Sequence, residues 1–461
     1  MRFEVGRDIR VIDADISVLQ YCTEKLRLDN PDYIKKERLG KWLGNTPKEI
    51  SLYQRIGSDV RIPFGCLKSL WSTYPDKSLW KVKIRPVERR KYRSNIETYP
   101  YQEKAIKSAI FARNGVLVMP CGSGKTQCGL EIISRIGGRA LWLTHTQDLL
   151  NQSMKRAKDT LEIDGTLGTI TAGKVNIGTH ITFATVQTMS RLDLEQYRDC
   201  FDIVVVDEAQ HCCGSPTRVT QFYKVVSSLS ARYKYGLTAT PKRADGLERS
   251  MFALLGDIIC EISREEVAHT TCPITVMQMN TAYQPDYEAV LMGDGTLNYA
   301  ALVDNLVSDR DRMFFVDDVI QGCAKMGPTL VLANRVKYLS DLKEFGDEHF
   351  RCAHLSVSTS KRQREERKEA LRKLNDGELD IIYATYQLAK EGLDVPNLRY
   401  VVFATPEQDE TTVIQSAGRV GRKADGKEIG TVIDFVDDFG MYRRWAQKRR
   451  GYYKKIGAEL K

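Results

Sequence analysis

The sequence predicts an α/β fold with two parallel-sheet domains in tandem, preceded by a small basic α+β domain. From about Tyr99 onward, short apolar runs rich in β-branched residues alternate with amphipathic helical stretches. Strands that are buried on both faces and separated by helices are typical of parallel sheets. A polar stretch with helical patterns interrupts the alternation between about Glu261 and Asp311, so two sheets are expected rather than one.

The predicted strands follow the order of the apolar runs. In the first half they are GVLVMP, ALWLT, HITFAT, FDIVVVD and KYGLTAT, and in the second GPTLVLAN, LDIIYAT, LRYVVFAT and EIGTVIDFV. The 461 residues, of which 42% are hydrophobic, are enough to bury more than one core. We therefore predict an N-terminal domain at residues 1–96, a first α/β domain at 97–262, a linker or helical connection at 263–310, a second α/β domain at 311–438 and a basic C-terminal helix at 439–461.

Positive charge is concentrated near the N-terminus. The net charge is +9, and residues 1–98 hold 21 Lys or Arg against 13 Asp or Glu. Aromatic residues are interleaved with these charges, namely Trp42, Tyr53, Trp71, Tyr74, Trp80 and Tyr92. The pattern favours nucleic-acid binding, because neutralising phosphates releases counterions. A solvated face over core aromatics accounts for it equally well.

Two further stretches have a bearing on nucleic-acid binding. SLYQRIGSDVRIPFG in the N-terminal domain has the pattern of strand, turn and strand. The closing YRRWAQKRRGYYKKIG either follows a nucleic-acid backbone or is an ordinary surface helix.

Hydropathy and cysteine usage limit the cellular setting. The longest apolar runs fall short of the roughly 18 residues that a membrane span needs, and the N-terminus is charged throughout. The eleven Cys lack CxxC or Cys/His ligand spacing. We therefore expect free thiols in a reducing cytoplasm, with no structural zinc, no disulfide framework and no membrane.

A glycine-rich segment follows the first predicted strand. Its residues are Gly122, Ser123, Gly124, Lys125 and Thr126. Small residues let backbone N–H groups converge on phosphate oxygens, while Lys reaches the outer phosphates and Thr a magnesium ion. The full pattern GxxxxGK[ST] is not met, because Met119 stands at its first glycine. A glycine turn capping a helix is the alternative interpretation.

An acidic pair ends the predicted strand IVVV. Asp207 and Glu208 would lie at the carboxyl edge of the sheet, where open parallel sheets bind ligands. Asp207 can hold Mg²⁺, and Glu208 can orient and deprotonate an attacking water. A cap for the next helix would explain the pair alone, but not its combination with a phosphate loop. Together the two motifs predict an ATPase.

Nine ordered motifs make the chain resemble a superfamily 2 helicase or translocase over roughly residues 99–438. In the first domain they are YPYQ, GSGKT, LWLTHTQDLLNQ, TFATVQTM, DEAQ and TATP, and in the second TLVLANRVKYLSDL, YATYQLAKEGLDVP and QSAGRVGR. GLTATPKRADG and QSAGRVGRKADGK are most similar to the XPB-like and restriction-motor branch, which includes phage branch-migration helicases of the UvsW type. The resemblance implies two RecA-like motor domains that use ATP and Mg²⁺, and a location in the host cytoplasm if the chain is of phage origin.

The resemblance also implies residue roles. Lys125 would contact the outer phosphates, Thr126 and Asp207 the Mg²⁺, Glu208 the water and Gln102 the adenine edge. Arg419 and Arg422 would act on the γ-phosphate as arginine fingers, with Gln415 placing water or phosphate, and such an arginine contributes about 10³ to 10⁵ in rate. The remaining roles are the link to domain movement (Gly392, Asp394), coupling (Thr238, Thr240) and the nucleic-acid track (Thr144, Gln147, Thr185, Gln187, Thr385).

The expected function is ATP-dependent remodelling of branched DNA by a monomeric motor in recombination, repair or replication, with proteins of those processes as further partners. An RNA helicase would share most of the motifs. The motor subunit of a restriction system is another alternative, although residues 1–98 contain no [DE]xK tripeptide of a restriction-type nuclease. A non-catalytic clamp would not need the intact ATP-site residues. Deleting residues 1–98 is expected to leave the ATP site intact and to weaken junction binding.

Overall fold

The parallel-sheet prediction is confirmed by the computed structural model, which describes residues 1–171, 173–213, 215–242, 246–293, 295–355, 361–390, 393 and 395–461. These residues divide into two compact units. Unit 1 comprises Met1–Pro120 and Gly124–Ser263, and unit 2 comprises Cys121–Ser123 and Arg264–Lys461.

The N-terminal part of unit 1 is an α+β arrangement around a mixed sheet. Its elements are β1 (Arg2–Val5), β2 (Ile9–Ile12), α1 (Ile16–Leu26), β3 (Arg27–Asp29), α2 (Pro31–Arg38), β4 (Glu49–Ser51), β5 (Gln54–Ile56), β6 (Asp59–Ile62), α3 (Leu67–Thr73), β7 (Trp80–Val82) and β8 (Tyr92–Ser94). The sheet order is β5-β6-β2-β1-β7, and β3 pairs separately with β4. The predicted strand, turn and strand are confirmed as β5 and β6, joined through Gly57 at φ 63°.

The rest of unit 1 is an α/β domain. Its elements are α4 (Pro100–Ala112), β9 (Asn114–Val118), α5 (Lys125–Ile136), β10 (Ala140–Thr144), α6 (Gln147–Thr160), β11 (Leu161–Ile163), β12 (Leu167–Thr171), β13 (Lys174–Asn176), β14 (Ile181–Thr185), α7 (Val186–Met189), β15 (Ile203–Val206), α8 (Pro216–Ser228), β16 (Tyr233–Thr238), α9 (Glu248–Leu255) and β17 (Ile258–Glu261). The sheet order is β13-β12-β14-β10-β15-β16-β9-β17. Only the edge strand β13 is antiparallel among the pairs of this sheet in the described residues.

Unit 2 carries a second, all-parallel sheet in its described part, with the order β20-β21-β19-β22-β23-β18-β24. Its elements are α10 (Arg264–Val267), β18 (Ile274–Asn280), α11 (Tyr287–Val290), α12 (Tyr299–Ser308), α13 (Arg310–Met326), β19 (Thr329–Ala333), α14 (Val336–Asp347), β20 (Cys352–Leu355), α15 (Lys361–Asn375), β21 (Ile381–Thr385), α16 (Tyr386–Lys390), β22 (Tyr400–Phe403), α17 (Glu410–Ala417), β23 (Gly430–Val436), α18 (Gly440–Lys455) and β24 (Glu459–Leu460).

The segment predicted as a linker at residues 263–310 contains a strand of this second sheet, which corrects that prediction. β18 pairs in parallel with β23 over seven residues. Its sequence ITVMQMN includes Gln278 and Asn280, and only its first three residues are buried. The strand therefore lacks the continuous apolar run by which the other strands were recognised.

The closing basic stretch is α18, which is anchored inside unit 2. Arg449 is fully buried, and its Nη2 lies 2.7 Å from Oδ1 of Asp434 on β23. Tyr442, Trp445 and Tyr453 on the same helix are also buried. One face of this helix therefore belongs to the core of the unit, and the exposed face carries its remaining positive charge.

A single apolar core joins the N-terminal part of unit 1 to the α/β part. Phe3, Val11 and Leu70 belong to the same cluster of buried side chains as Val226 and Leu254. The backbones also touch: a Cβ on Gly65 would lie 2.4 Å from the carbonyl oxygen of Phe252. Since real Cβ atoms do not approach an oxygen so closely, only glycine fits at this contact. The N-terminal part is thus packed as a layer of the first α/β domain.

A buried lysine lies at this junction. Lys234 on β16 is fully buried, and its Nζ donates hydrogen bonds to the carbonyl oxygens of Arg7 (2.9 Å) and Val226 (3.1 Å). The same Nζ lies 4.8 Å from the centroid of the Phe64 ring. Burial lowers the pKa of Lys234 from its ordinary value of 10.5 to about 7.

This shift predicts a pH-dependent contribution to stability. Between about pH 7 and 10.5 the unfolded chain binds the Lys234 proton more strongly than the folded one. The free energy of unfolding should therefore rise with pH in this window, by up to about 1.4 kcal/mol per pH unit. The Lys234→Met variant should lose this slope, whereas Lys158→Met, at an exposed lysine, should keep it. Urea unfolding at several pH values measures the slope, and equal slopes in wild type and Lys234→Met would contradict the prediction.

Candidate active site

The glycine-rich loop lies between β9 and α5, as its sequence predicted. Gly122 (φ 83°) and Gly124 (φ 80°) adopt left-handed backbone conformations, and Gly124 is the N-cap of α5. A Cβ on Gly124 would lie 2.4 Å from Nε2 of Gln102, so a larger residue does not fit there. The loop thus combines two left-handed glycines with a helix N-terminus, an arrangement that suits phosphate binding.

Gln102 forms the base of this loop. It is the third residue of α4 and 2% exposed, and its Oε1 accepts a hydrogen bond of 3.0 Å from the backbone N of Tyr99. The capping bond fixes the orientation of its amide group. Recognition of the adenine edge by Gln102 stays a prediction, and the structure adds that its side chain supports the phosphate loop.

Lys125 and the acidic pair lie together in unit 1. Lys125 is the first residue of α5 and is 9% exposed. Its Nζ lies 3.8 Å from Oε1 of Glu208. Glu208 has a left-handed backbone with φ 49°, which is uncommon for a residue with a side chain, and residues of this kind cluster at active sites.

Asp207 is held at the end of β15 by the neighbouring strand and helix. Its backbone N donates to the Leu143 carbonyl oxygen of β10 at 2.9 Å, and its Oδ2 accepts a hydrogen bond of 3.2 Å from Oγ of Ser153 on α6. Burial, and then the charge of Glu208, raise the pKa of Asp207 above its ordinary value, while the charge of Lys125 opposes this shift. A divalent cation beside this carboxylate would favour its charged form.

The oxygen donors at this end of the sheet suit Mg²⁺. Mg²⁺ prefers carboxylate and hydroxyl oxygens together with phosphate and water. Asp207 supplies a buried carboxylate, and Thr126, the second residue of α5, supplies a half-buried hydroxyl. No group of three or more His, Cys, Asp or Glu side chains that could hold a metal occurs in the described residues. The donor set therefore fits an ion held jointly with substrate phosphates.

A short hydrogen-bond chain connects the predicted coupling residues to the acidic pair. Oγ1 of Thr238 donates to Oε1 of Gln210 at 2.6 Å, and Nε2 of Gln210 donates to Oε2 of Glu208 at 2.7 Å. The backbone N of Thr240 donates to Oγ1 of Thr238 at 3.1 Å. Gln210 was not among the predicted site residues, although it follows the acidic pair in DEAQ. It is 3% exposed and bridges the two motifs.

Substitution of Gln210 tests whether this hydrogen-bond chain matters for ATP hydrolysis. Gln210→Ala should lower kcat for ATP about tenfold with little change in KM, because Glu208 loses a hydrogen bond that orients its carboxylate. Thr238→Val should cost little more in the Gln210→Ala background, because both residues act through one chain. Steady-state ATP hydrolysis measures both effects, with Gln196→Ala, at an exposed glutamine of unit 1, as the control. A raised KM at unchanged kcat would contradict the bridging role.

The predicted nucleic-acid track of unit 1 follows the carboxyl ends of two paired strands. Thr144 at the end of β10 pairs with Thr185 at the end of β14. Thr144 is fully buried and donates to the Thr146 carbonyl oxygen at 3.0 Å, so its side chain supports the loop from inside. Thr185 is 7% exposed and shares a hydrogen bond of 2.9 Å with Thr188. These contacts make both threonines part of the local framework.

The two predicted glutamines of the track are half-buried. Gln147 begins α6 and donates to Oδ1 of Asn151 at 3.2 Å, and Gln187 on α7 donates to the His145 carbonyl oxygen at 2.9 Å. The His145 ring stacks on that of His211 with centroids 3.7 Å apart. This stack, which sequence reasoning missed, connects the track to the end of the acidic motif. Nucleic-acid contacts of Gln147 and Gln187 stay predictions.

Unit 2 holds the predicted arginine fingers around a 3-10 turn at Gly418–Gly421. Arg419 donates from Nη1 to the Leu393 carbonyl oxygen (3.0 Å) and from Nη2 to that of Ala389 (2.9 Å). Arg422 follows the turn and is half-buried. The guanidinium of Arg419 thus ties this turn to α16 and the residues after it.

The other predicted residues of unit 2 flank these elements. Gln415 on α17 is 6% exposed, and its Oε1 accepts no hydrogen bond from the part of the chain that the structure describes. Thr385 ends β21, and its Oγ1 accepts a bond of 3.4 Å from the backbone N of Leu388. Gly392 and Asp394 lie outside the described residues.

Two family models match the chain. Residues 95–243 match the family described as type III restriction enzyme, res subunit, and residues 313–424 match the helicase conserved C-terminal domain. The helices of the described residues include none long and apolar enough to cross a membrane.

Similar proteins carry the names of helicases and motors. The putative ATP-dependent RNA helicase L396 of Acanthamoeba polyphaga mimivirus is 26% identical over 97% of this chain and 82% of its own length. The DNA 3'-5' translocase XPB2 of Sulfurisphaera tokodaii is 26% identical over 78% of this chain and 85% of its own. The structure of the ATP-dependent Type ISP restriction-modification enzyme LlaBIII bound to DNA aligns with a TM-score of 0.58 and 17% identity, over 79% of this chain and 30% of that enzyme's. That last likeness shows the fold alone.

Proposed function

Because the chain belongs to superfamily 2 of helicases and translocases, in the XPB-like and restriction-motor branch, we propose that it is an ATP-driven DNA motor that remodels branched DNA. Family members use ATP with Mg²⁺. The observation that carries the choice of DNA is the likeness to the DNA translocase XPB2, which extends over 85% of that protein. Fork reversal, branch migration and duplex unwinding are the reactions proposed, in recombination, repair or replication.

The chemistry would begin at the phosphate loop. The N–H groups at the start of α5 would hold the phosphates of ATP, and Lys125 would turn from Glu208 towards the outer phosphate oxygens. This exchange would release Glu208 to orient the attacking water and take its proton, while Gln210 keeps the carboxylate in place. Bound Mg²⁺ would neutralise charge on the phosphates, with Asp207 and Thr126 as its protein ligands.

The remaining residues would act on the transferred phosphoryl group and on domain movement. We propose that Arg419 and Arg422 supply positive charge to the transferred phosphoryl group, with Gln415 placing water or phosphate. Thr238 and Thr240 would couple ATP hydrolysis to movement, because their hydrogen bonds reach Glu208 through Gln210. Gln147, Gln187 and Thr385 would contact the nucleic-acid backbone, which gives stepping that is independent of sequence.

An RNA helicase is the second candidate. The likeness to L396, named as an RNA helicase, extends over 97% of this chain, and supports it directly. The match of residues 95–243 to the type III restriction enzyme family supports a third candidate, a restriction motor that moves along linear duplex DNA.

Steady-state ATP hydrolysis by the full-length chain separates the three candidates. The samples contain no polymer, single-stranded RNA, single-stranded DNA, linear duplex DNA or a four-way DNA junction, and Lys125→Ala provides the blank. The proposal expects the highest rate with the junction. The highest rate with RNA would assign the chain to the RNA helicases, and equal rates with duplex and junction would favour a restriction motor.

A further inference from the structure

A basic arm projects from the N-terminal part of unit 1 between β3 and β4. We define the arm as residues 30–48, which include α2 and the loop after it. Its ends are closed by two hydrogen bonds of Asn30, from the backbone N to the Lys48 carbonyl oxygen (3.0 Å) and from Nδ2 to the Pro47 carbonyl oxygen (2.7 Å). Lys36 Nζ donates to Oγ1 of Thr46 at 2.6 Å across the arm. These hydrogen bonds give the arm a defined conformation and hold its two ends together.

The loop of the arm presents a tryptophan to solvent. Trp42 is 89% exposed, whereas the other four Trp of the chain are 38% exposed or less. Its ring lies over Gly44, because a Cβ at Gly44 would be 3.1 to 3.4 Å from three ring carbons. Gly44 also has φ 51°, so both its left-handed backbone and its close approach to the ring favour glycine at this position. The benzo part of the indole therefore lies beside the Gly44 backbone, and most of the ring surface is open to solvent.

The arm that carries this ring has an excess of positive charge. The arm contains five Lys or Arg and two Asp or Glu. Lys35, Arg38, Lys41 and Lys48 are exposed, and none of the four forms an ion pair with a described residue. Exposed cations without acidic partners attract a polyanion. An open aromatic face among such cations is the combination with which proteins bind unpaired nucleotides, through base stacking and phosphate contacts.

We propose that the arm is a binding site for single-stranded DNA in which Trp42 stacks on an unpaired base. Lys35, Arg38 and Lys41 contact the phosphates that flank this base. Unpaired bases occur where strands separate at a branch point, so the arm would hold the strand that the motor displaces. This inference rests on the proposed function for its DNA substrate, and on the contacts of the arm for the site.

Binding of a fluorescent oligonucleotide by the full-length chain tests the site. Trp42→Ala should weaken binding of single-stranded DNA about 5- to 100-fold, the loss that one stacked base causes. Trp42→Phe should retain most of the affinity, because it keeps an aromatic face. Phe111→Ala is the matched control, since Phe111 on α4 is 90% exposed and outside the arm. Affinity for blunt duplex DNA should change less than twofold in all three variants.

Fluorescence reports the stacking itself. Single-stranded DNA should quench tryptophan emission of the wild type, and Trp42→Phe should remove most of this quenching. Since the side chain is exposed, ATP hydrolysis without nucleic acid should be unchanged in each variant, which shows that the fold is intact.

Three outcomes would overturn the inference: equal affinity of wild type and Trp42→Ala for single-stranded DNA, an equal loss in Phe111→Ala, or a loss confined to single-stranded RNA. The proposed function fails separately. It fails if no DNA stimulates ATP hydrolysis by the wild type, a result that does not depend on any arm variant.

Discussion

Glu208→Gln is expected to lower kcat for ATP hydrolysis by about 10²- to 10⁴-fold, the contribution of a positioned general base. The amide cannot take the proton of the attacking water, whereas its shape and its contact with Gln210 can persist. The ion pair with Lys125 is lost, so the lysine is more available to phosphate oxygens. ATP affinity should therefore stay the same or rise. Single-turnover hydrolysis and equilibrium binding of a fluorescent ATP analogue measure the two quantities separately.

The comparison variant is Lys125→Ala, which removes the other member of the ion pair. It should weaken ATP binding and also hydrolysis, because in the proposed mechanism the lysine contacts phosphates both before and during the reaction. Glu24→Gln, at an exposed glutamate of α1, controls for the loss of one carboxylate elsewhere. If Glu208→Gln weakened ATP binding as much as Lys125→Ala does, Glu208 would be a structural partner of the lysine and not the base.

The residues proposed to hold phosphate and metal could be placed from the sequence because their requirements are local. Gly124 must be small and left-handed, Lys125 must follow it at the start of a helix, and Asp207 must end a buried strand. Each requirement can be recognised from a few consecutive residues of the sequence. The nine predicted strands are likewise confirmed as β9, β10, β14, β15, β16, β19, β21, β22 and β23, because each is a continuous apolar run.

The residues that position these groups could not be found in this way, since their partners are distant in sequence. Ser153 reaches Asp207 across 54 positions, and Thr238 reaches Gln210 across 28. Ser153 does leave a faint signal, because it occupies the buried face of α6 between Leu150 and Ala157. A hydroxyl at an apolar position requires a partner, but the sequence does not say which one.

The boundary between the N-terminal part and the first α/β domain could not be judged from the sequence. Charge and composition predict a separable nucleic-acid-binding domain, whose deletion would spare the ATP site. Composition reports the exposed surface of such a segment. The apolar face that Phe3 and Leu70 contribute to the core of the α/β part is a property of the tertiary fold, and no local pattern distinguishes it from a core of its own.

Deleting residues 1–98 is now expected to prevent folding of unit 1. The deletion exposes the apolar face of Val226 and Leu254, where each fully buried side chain of this size stabilises the fold by about 1.5 to 3 kcal/mol. It removes the Arg7 carbonyl oxygen and the Phe64 ring from Lys234, which leaves a buried amine with one of its two hydrogen bonds. Several such losses together are comparable with the 5 to 15 kcal/mol by which a protein is usually stable.

The same deletion leaves a buried carboxylate without its ion pairs. Asp202 is 2% exposed, and its oxygens lie 3.0 Å from Nη2 of Arg85 and 3.7 Å from Nη1 of Arg90, both within the deleted segment. Removing the partners of a buried charge costs about 3 to 5 kcal/mol. Thermal unfolding of the purified truncated chain should accordingly show no cooperative transition, and basal ATP hydrolysis should be absent.

A smaller deletion provides the matched control. Replacing residues 31–47 by Asn-Gly removes the arm but keeps the shared core, because Asn30 and Lys48 are already joined by a backbone hydrogen bond that a two-residue turn can close. This variant should unfold cooperatively near the wild-type temperature and retain basal ATP hydrolysis, while its affinity for single-stranded DNA falls at least as far as that of Trp42→Ala. A truncated chain lacking residues 1–98 that also folded and hydrolysed ATP would show that the α/β part is stable without the N-terminal layer, and the shared core would then be an interface between two independent domains.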